Sequence, residues 1–352
     1  MNRHTEALKR FAAGTVIPAT PLVLDAKKQF DPAGQKLLNG YYLEAGAGGI
    51  ATAVHSTQFE IRDPKFRLFE KVIGTVAESI SEYEARTGRV IVRVAGVCGP
   101  TEQAVREAKL AREYGYDAVL LSPGGLNDYS EDDLLRRTEA VAAEMPVIGF
   151  YLQKAVGGRY LSYSYWKRFT EIENVIGVKV AAFNRYATVD VVRAAAFSSR
   201  SEQIALYTGN DDNIVSDLIS TFSFREGDRT VTRRFVGGLL GHWSVWTRRV
   251  VELFERIRKN PNDPELLTLA GQITDANGAV FDAANNFAGC ISGIHEILHR
   301  QGLMPYIHCL SEKERLSEGQ SEEIDRVLAM YPHLTDDGFV REYLNAQKEL
   351  RK

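Results

Sequence analysis

The stretch Val175-Ile176-Gly177-Val178-Lys179-Val180-Ala181-Ala182 is short and almost wholly apolar, and it carries a single charged side chain. An apolar run of this length, rich in β-branched residues, is typical of a buried strand. Burial disfavours an ammonium group and lowers the pKa of a lysine, and a neutral amine can attack a carbonyl carbon to form a Schiff base. Lys179 therefore indicates covalent chemistry. A lysine that merely extends from a strand end to water gives the same pattern.

Similar short apolar runs recur at regular intervals along the chain. From about residue 15 to about residue 260, short apolar runs alternate with longer amphipathic stretches. The strand candidates are 15–18, 49–54, 90–97, 118–121, 147–151, 175–180, 204–208 and, less clearly, 235–240. Helical segments between them include 32–45, 101–114, 130–143 and 186–196. Thr101 and Ser130 are expected to be N-caps, and Gly46 is expected to end a helix.

Eight strand-helix units of this size predict an α/β fold, a (β/α)8 TIM barrel. An open doubly wound sheet is the alternative, but the Gly-rich phosphate-binding turns that usually accompany it do not follow the first strand. We expect residues 1–260 to form the barrel domain and residues 261–352 to form a C-terminal helical extension with helices at 264–285, 291–300, 321–330 and 336–350. Asp263 is a candidate N-cap for the first of these helices, with Pro264 at the first helical position. Residues 221–235 alternate about a Glu226-Gly227-Asp228 turn, which fits either a hairpin or a solvated loop.

Composition describes an ordinary globular chain. The 352 residues are 44% hydrophobic and carry a formal charge of -3. Lysines and arginines are scattered, so we expect no nucleic-acid partner, and no run approaches the ~18 apolar residues of a membrane span. Three widely spaced cysteines and a charged N-terminus without an apolar signal segment favour the cytoplasm. Small molecules are the expected partners.

Two further groups fall at the ends of predicted strands. Tyr151 closes the run one unit before Lys179, where a phenol can transfer protons and stabilise charge on oxygen. A structural tyrosine at the end of the barrel is the alternative. Ser56 and Thr57 follow the second strand in a loop that can hold a carboxylate, although hydroxyl residues are also common in turns.

Taken together, these features resemble the dihydrodipicolinate synthase and N-acetylneuraminate lyase family of class I, Schiff-base-forming lyases. The resemblance covers most of residues 15–260 and includes the segments Val16-Ile17-Pro18-Ala19-Thr20-Pro21-Leu22, Ala95-Gly96-Val97 and Tyr207-Thr208-Gly209-Asn210-Asp211-Asp212. It implies that Lys179 forms the Schiff base with pyruvate or another 2-oxo acid and that Tyr151 transfers the proton. It also implies that Ser56, Thr57 and Gly209 bind substrate.

Three departures from the family pattern bear on the substrate. His55 and Gln58 replace the glycines that flank the family's carboxylate-binding loop, where backbone amides need glycine's freedom to approach an anion. After the fourth strand, Ser122-Pro123-Gly124-Gly125-Leu126 lacks the family's relay tyrosine, for which Tyr129 is a substitute or merely a surface residue. Val156 stands where the synthases carry an arginine for the aldehyde substrate. Lys154 and Arg159 are other nearby charges.

We therefore do not expect a true dihydrodipicolinate synthase. The small Gly124 and Gly125 leave space for a larger partner, such as an aromatic aldehyde or a sugar acid. A dehydratase acting on a 2-keto sugar acid through the same imine is one alternative, and a catalytically silent ligand-binding barrel is another. We expect no cofactor and no metal; His242 falls near the eighth strand end, where core packing explains it equally well. The resemblance implies a homo-oligomer, either a dimer or a tetramer.

Overall fold

The computed structural model describes residues 2–350, and its main sheet contains eight parallel strands. The strands of this sheet are β1 (Val16–Pro18), β2 (Gly49–Thr52), β3 (Val92–Val97), β4 (Ala118–Leu121), β5 (Val147–Leu152), β6 (Val175–Ala181), β7 (Ala205–Thr208) and β10 (Gly237–Leu240). Their order is β1-β10-β7-β6-β5-β4-β3-β2, and a parallel bridge between Ala19 and Ala51 joins the segment after β1 to β2. The predicted (β/α)8 TIM barrel is confirmed.

Helices alternate with these strands and continue after them. In chain order they are α1 (Arg3–Ala13), α2 (Pro32–Ala45), α3 (Phe69–Thr87), α4 (Thr101–Glu113), α5 (Glu131–Ala142), α6 (Tyr163–Phe169), α7 (Arg185–Ala196), α8 (Ile214–Ile219), α9 (Thr247–Lys259), α10 (Glu265–Val280), α11 (Cys290–Arg300), α12 (Gln320–Met330) and α13 (Asp337–Leu350). The C-terminal helices are therefore confirmed. None of the helices within residues 2–350 is long and apolar enough to cross a membrane.

Local signals explain three of the element boundaries. Ser130 caps α5 as predicted, because its hydroxyl accepts from the Asp133 amide while the Asp133 carboxylate accepts from the Ser130 amide. Gly46 ends α2 in a left-handed conformation, also as predicted. Strand β2 stops two residues before the predicted end, since Ala53 has a φ of 57° and leaves the β region.

Two capping predictions are wrong. Pro100 occupies the N-cap of α4, so Thr101 is instead the first helical residue. Pro264 likewise occupies the N-cap of α10, which begins at Glu265. The Asp263 carboxylate nevertheless accepts the Glu265 amide at 3.0 Å, so it still satisfies one donor of the first helical turn.

The segment before the eighth barrel strand forms a hairpin. Strands β8 (Phe222–Glu226) and β9 (Arg229–Arg233) pair in antiparallel register from Phe222↔Arg233 to Glu226↔Arg229. Gly227 in the turn has a φ of 59°, a conformation that glycine adopts without strain. Of the two interpretations of this segment, the hairpin is therefore confirmed and the solvated loop is not.

The chain divides into two compact units. The first contains the described residues up to Thr15 together with Val92–Leu239, and the second contains Val16–Ile91 together with the described residues from Leu240 onward. This division differs from a boundary at residue 260, which stays a prediction of the sequence.

Helix α1 belongs to the first unit and packs against β6 and β7. The Phe11 ring stacks on Tyr207 at 4.5 Å, and the Tyr207 hydroxyl donates to the Phe11 carbonyl at 2.7 Å. A Cβ at Gly177 would lie 3.2 Å from the Phe11 ring, so the glycine in the lysine-bearing strand makes room for this aromatic side chain.

In the second unit, the C-terminal helices share an apolar core with α2 and α3. Residues from α2 and α3 (Leu38, Tyr41, Tyr42, Val76, Ile80) cluster with residues from the C-terminal helices (Val280, Ile294, Ile297, Leu298, Val340). The Tyr41 hydroxyl donates to Asp336 at 2.6 Å, and the Tyr343 hydroxyl donates to the Leu37 carbonyl at 2.7 Å. The tail of this chain is therefore part of a packed core.

Candidate active site

Lys179 lies near the C-terminal end of β6 and is only 7% exposed. Its Nζ is 4.4 Å from the centre of the Phe150 ring, and the two residues are opposite each other in the β5–β6 pairing. The ring face favours an ammonium, whereas burial opposes it. A largely dehydrated amine at a strand end is suited to nucleophilic attack on a carbonyl carbon.

Gly209 lies directly against this lysine. A Cβ at Gly209 would be 2.7 Å from Lys179 Cε and 2.8 Å from Ala181 Cβ, closer than real contacts allow. The Gly209 amide donates to the Val180 carbonyl at 2.7 Å, which fixes the turn after β7 beside β6. The structure thus brings Lys179 and Gly209 together, and the absence of a side chain at Gly209 makes the path of the lysine possible.

Tyr151 lies on the face of β5 opposite to that of Phe150. Its ring is 5.3 Å from Trp166 on α6, and its hydroxyl accepts the Leu161 amide at 3.3 Å. Gly149 is two residues earlier on the same face, and a Cβ there would meet the Phe169 ring at 2.6 Å. Burial raises the pKa of Tyr151, although the bond to Leu161 opposes the shift. The phenol therefore packs toward α6, while Phe150 faces Lys179.

Ser56 and Thr57 lie in the second unit, in a 3-10 turn that follows β2. Both are buried, and each hydroxyl donates to a backbone carbonyl at 2.7 Å, Ser56 to Ala19 and Thr57 to Thr20. The Thr57 amide donates to the Val54 carbonyl at 3.1 Å. The two hydroxyls retain lone pairs, but in this structure their protons bind the protein's own backbone.

Gln58 keeps a glycine-like backbone in this turn. Its φ is 69°, in the left-handed region that glycine favours, although the side chain is an amide. The Gln58 Oε1 accepts the Leu310 amide at 2.6 Å, so the side chain also holds the C-terminal segment of the same unit. Gln58 thus combines a backbone conformation typical of glycine with a side-chain bond to Leu310.

The loop after β4 is held by an arginine. Arg159 donates to the Leu126 carbonyl at 3.1 Å and to the Tyr129 carbonyl at 2.5 Å, so its guanidinium binds backbone and Tyr129 lies half-buried beside it. Gly125 has a φ of 76°, and a Cβ there would meet no heavy atom within 4 Å. Gly125 is exposed, so the larger pocket expected from Gly124 and Gly125 stays a prediction. Lys154 is exposed.

Sequence reasoning missed a buried carboxylate after β7. Asp217, on α8, is fully buried and accepts from the Thr208 hydroxyl at 2.7 Å and from Arg185 at 2.7 Å. Its neighbour Asp212 has a raised pKa, first because of burial and then because of the charge of Asp217. The acid turn Asn210-Asp211-Asp212 pointed to this region, but an aspartate within a helix gives no comparable signal.

His242 packs in the interior of the second unit. It is 4% exposed, its Nδ1 lies 2.6 Å from the Asn277 side-chain oxygen, and burial lowers its pKa to about 4. An imidazole in this position is neutral near pH 7. Within residues 2–350, no group of three or more histidine, cysteine, aspartate and glutamate side chains is arranged to hold a metal ion.

Comparison with known proteins finds a sequence likeness to one family over part of the chain. A sequence model described as the dihydrodipicolinate synthetase family matches residues 69–239. The 4-hydroxy-tetrahydrodipicolinate synthase of Protochlamydia amoebophila (strain UWE25) is 25% identical over 154 residues, which cover 40% of this chain and 50% of that protein. The chain thus matches half the length of this curated relative.

Solved structures of the same family share the fold. Dihydrodipicolinate synthase from Oceanobacillus iheyensis superposes with a TM-score of 0.73 at 16% identity, covering 94% of this chain and 100% of that one. The chloride-inhibited enzyme from Acinetobacter baumannii, complexed with pyruvate, gives a TM-score of 0.72 at 18% identity, with coverages of 90% and 98%. At these identities the likeness establishes the fold alone. The family match over residues 69–239 and the curated relative add a sequence likeness, so this chain is similar to the dihydrodipicolinate synthetase family.

Proposed function

We propose that this protein is a class I lyase that binds a 2-oxo acid, such as pyruvate, as an imine on Lys179 and forms or cleaves a carbon-carbon bond. The observation that carries the proposal is the largely buried Lys179 amine at the end of β6, packed against Phe150 and Gly209. The names of the relatives support it, since one is a 4-hydroxy-tetrahydrodipicolinate synthase and another was crystallised with pyruvate.

The imine step itself needs few groups. The neutral Lys179 amine adds to the ketone carbon, giving a carbinolamine, which loses water once its hydroxyl is protonated. The product is an imine that withdraws electrons from the neighbouring carbon and so allows a bond to that carbon to form or break. Loss of water from the carbinolamine and the later carbon-carbon step both require a proton donor close to the reacting oxygen.

Tyr151 is the proton-transferring group that the family resemblance implies. Its raised pKa keeps the phenol protonated and able to donate. Its hydroxyl is bound at Leu161, however, so action at Lys179 requires the ring to turn away from α6. While that bond is made, Phe150 and not Tyr151 lies opposite the amine.

We further propose that Ser56, Thr57 and Gly209 contact the substrate. For Gly209, the support is its position against Lys179, where a Cβ would lie 2.7 Å from Cε of the lysine. For Ser56 and Thr57, carboxylate binding requires their hydroxyls to exchange the Ala19 and Thr20 carbonyls for the ligand.

Borohydride reduction in the presence of pyruvate, followed by intact mass measurement and peptide mapping, tests the proposal. Reduction converts an imine into a stable secondary amine, so a single pyruvyl adduct on Lys179 is expected. Lys179→Ala should fold and give no adduct, whereas Lys154→Ala, which removes an exposed lysine from the same unit, should react like the wild type. Absence of any adduct on folded wild-type protein, with pyruvate and with a panel of 2-oxo acids, would refute the proposal.

The catalytically silent barrel is the second candidate, and a specific observation favours it. The β5 residue that faces Lys179 is Phe150, which has no proton to transfer. A silent binding protein is expected to bind a small acid without forming a trapped adduct. A dehydratase acting on a 2-keto sugar acid would form the same adduct, and analysis of the released product separates it from an aldolase.

We also propose that the protein assembles into a homo-oligomer and works on small molecules in the cytoplasm. Support for assembly comes only from the family resemblance. Light scattering coupled to size-exclusion chromatography would give the mass directly, and a mass near 39.3 kDa for the eluting species would contradict the assembly.

A further inference from the structure

A buried carboxylate in the first unit accepts hydrogen bonds on both of its oxygens. Asp217 Oδ2 accepts from the Thr208 hydroxyl at 2.7 Å and from the Asn210 side-chain amide at 2.9 Å. Asp217 Oδ1 accepts from Arg185 at 2.7 Å and from the Asn213 side-chain amide at 3.2 Å. The side chain of Asp217 is fully buried, so these bonds replace the water that the carboxylate has lost.

The donors come from the two chain segments that border Lys179. Thr208 ends β7 and Asn210 lies in the turn that follows, while Arg185 is the first residue of α7, just after β6. Asn210 adds a direct link, because its side-chain oxygen accepts the Phe183 amide at 3.0 Å. Asp217 therefore ties the segment after β6 to the segment after β7.

Gly209 stands between two of these tied residues. Thr208 and Asn210 are both fully buried and both bound to Asp217 Oδ2, so the position of the intervening Gly209 follows from theirs. Gly209 in turn is the wall against which Lys179 lies, since a Cβ there would be 2.7 Å from Cε and 3.0 Å from Cγ of the lysine.

We propose that Asp217 is a positioning residue for Lys179, acting through Thr208, Asn210 and Gly209 to confine the lysine side chain. The inference deepens the proposed function and rests on it for the role of Lys179. Asp217 itself contacts hydrogen-bond donors of the protein, so its influence on the reaction is indirect. A shift of the wall would misplace the amine relative to a bound ketone, and a displacement of about 1 Å can slow a reaction by about a hundredfold.

Asp217→Asn is a sharp test because the side chain keeps its size. An asparagine retains one acceptor oxygen and adds an amide group that donates only. Whichever way it turns, that amide faces two donors, either Thr208 and Asn210 or Arg185 and Asn213. Thr208→Val is the second variant, since it removes only the inner hydroxyl from a residue of similar shape. Asp132→Asn is the matched control, because Asp132 pairs with Arg168 at an exposed site in the same unit.

Two readouts are measured on each folded variant well below its melting temperature. The first is the rate of pyruvate trapping at Lys179 by borohydride. The second is the rate of acetic anhydride labelling at Lys179 relative to the exposed Lys9 in the same molecule, which needs no substrate. For Asp217→Asn and Thr208→Val we expect trapping to fall about tenfold or more and relative labelling to rise severalfold, as the amine loses its wall.

A merely structural role would lower the melting temperature and leave both readouts at the level of Asp132→Asn, and that result would overturn the inference. If Asp217→Asn does not fold, the Thr208→Val result decides alone. If wild-type protein traps no 2-oxo acid, the proposed function fails, while the labelling comparison still decides whether Asp217 positions Lys179.

Discussion

Lys179 combines a requirement for burial with a requirement for freedom to react. Burial within β6 and contact with the Phe150 ring restrict the amine, and Gly209 leaves the narrow space in which its alkyl chain lies. The residue could be singled out from sequence because a lone charge in an apolar strand is unusual. Gly209 could be placed only by the turn pattern of the family, and its contact with the lysine emerges from the fold.

Gly209→Ala should fill the space beside the lysine. The new Cβ would lie 2.7 Å from Lys179 Cε, a flexible chain, and 2.8 Å from the Ala181 Cβ, which is fixed to a strand. We expect a loss of about 1–3 kcal/mol in the free energy of unfolding from overpacking, together with slower imine trapping. Urea denaturation and borohydride trapping measure the two effects. Gly271→Ala is the control, since no heavy atom lies within 4 Å of the corresponding Cβ and stability should not fall.

Exchange of the two adjacent β5 aromatics tests which of them serves the lysine. Because Tyr151 contacts Leu161 and Trp166 while Phe150 faces Lys179, we expect Tyr151→Phe to change the trapping rate by less than about threefold. A fall of about tenfold or more would instead support the proton-transfer role of Tyr151. Phe150→Tyr places a hydroxyl on the ring beside the amine. It should therefore change the trapping rate more than Tyr151→Phe does.

At the scale of elements, periodicity located the strands but could not give their register. All eight barrel strands and four of the helices that alternate with them (α2, α4, α5 and α7) follow from apolar spacing. The pairing of β5 with β6 begins at Val147↔Val175 and then shifts by one residue. Continued unshifted, it would set Tyr151 opposite Lys179; with the shift, Phe150 takes that place. One irregular residue in a strand thus reverses which side chain faces the lysine, and single-sequence patterns do not reveal it.

Helix α11 should make the protein sensitive to acid. His295 is fully buried there, and burial lowers its pKa from 6.5 to about 4. The histidine of the unfolded chain therefore binds a proton near pH 6.5, whereas that of the folded chain binds one only near pH 4. The free energy of unfolding is consequently highest above pH 6.5 and falls as the pH drops toward 4. The loss attributable to this residue is about 3 kcal/mol.

Urea denaturation of wild type and His295→Gln between pH 7 and pH 4 checks this. The variant should be less stable at pH 7, since the packing around α11 is disturbed, but its stability should decline less steeply toward acid. His333→Gln alters an exposed histidine and should keep the slope of the wild type. Parallel pH profiles for wild type and His295→Gln would contradict the assignment.

For the whole molecule, the question is whether residues 261–352 form an extension or part of the structural core. The end of the strand pattern and the helical pattern after residue 261 suggested an extension, because sequence shows where strands stop but not what the later helices cover. The structure shows α10, α11 and α13 sharing a core with α2 and α3, with Tyr41 bonded to Asp336. Long-range contacts of this kind leave no local signal.

A chain ending at residue 260 is therefore expected not to fold. Burial of one large apolar side chain stabilises a protein by about 1.5–3 kcal/mol, and a whole domain has a free energy of unfolding of only about 5–15 kcal/mol. Truncation removes enough buried apolar side chains from this core for the lost energy to exceed that total. Circular dichroism and solubility of the truncated chain report the result, and a cooperative melting transition would contradict it.

A matched pair of point variants gives the same test without truncation. Ile297→Ala, at a position 1% exposed, should cost about 2–5 kcal/mol, whereas Leu267→Ala, 65% exposed in the same segment, should cost less than about 0.5 kcal/mol. Equal effects would show that the tail is a loosely attached extension.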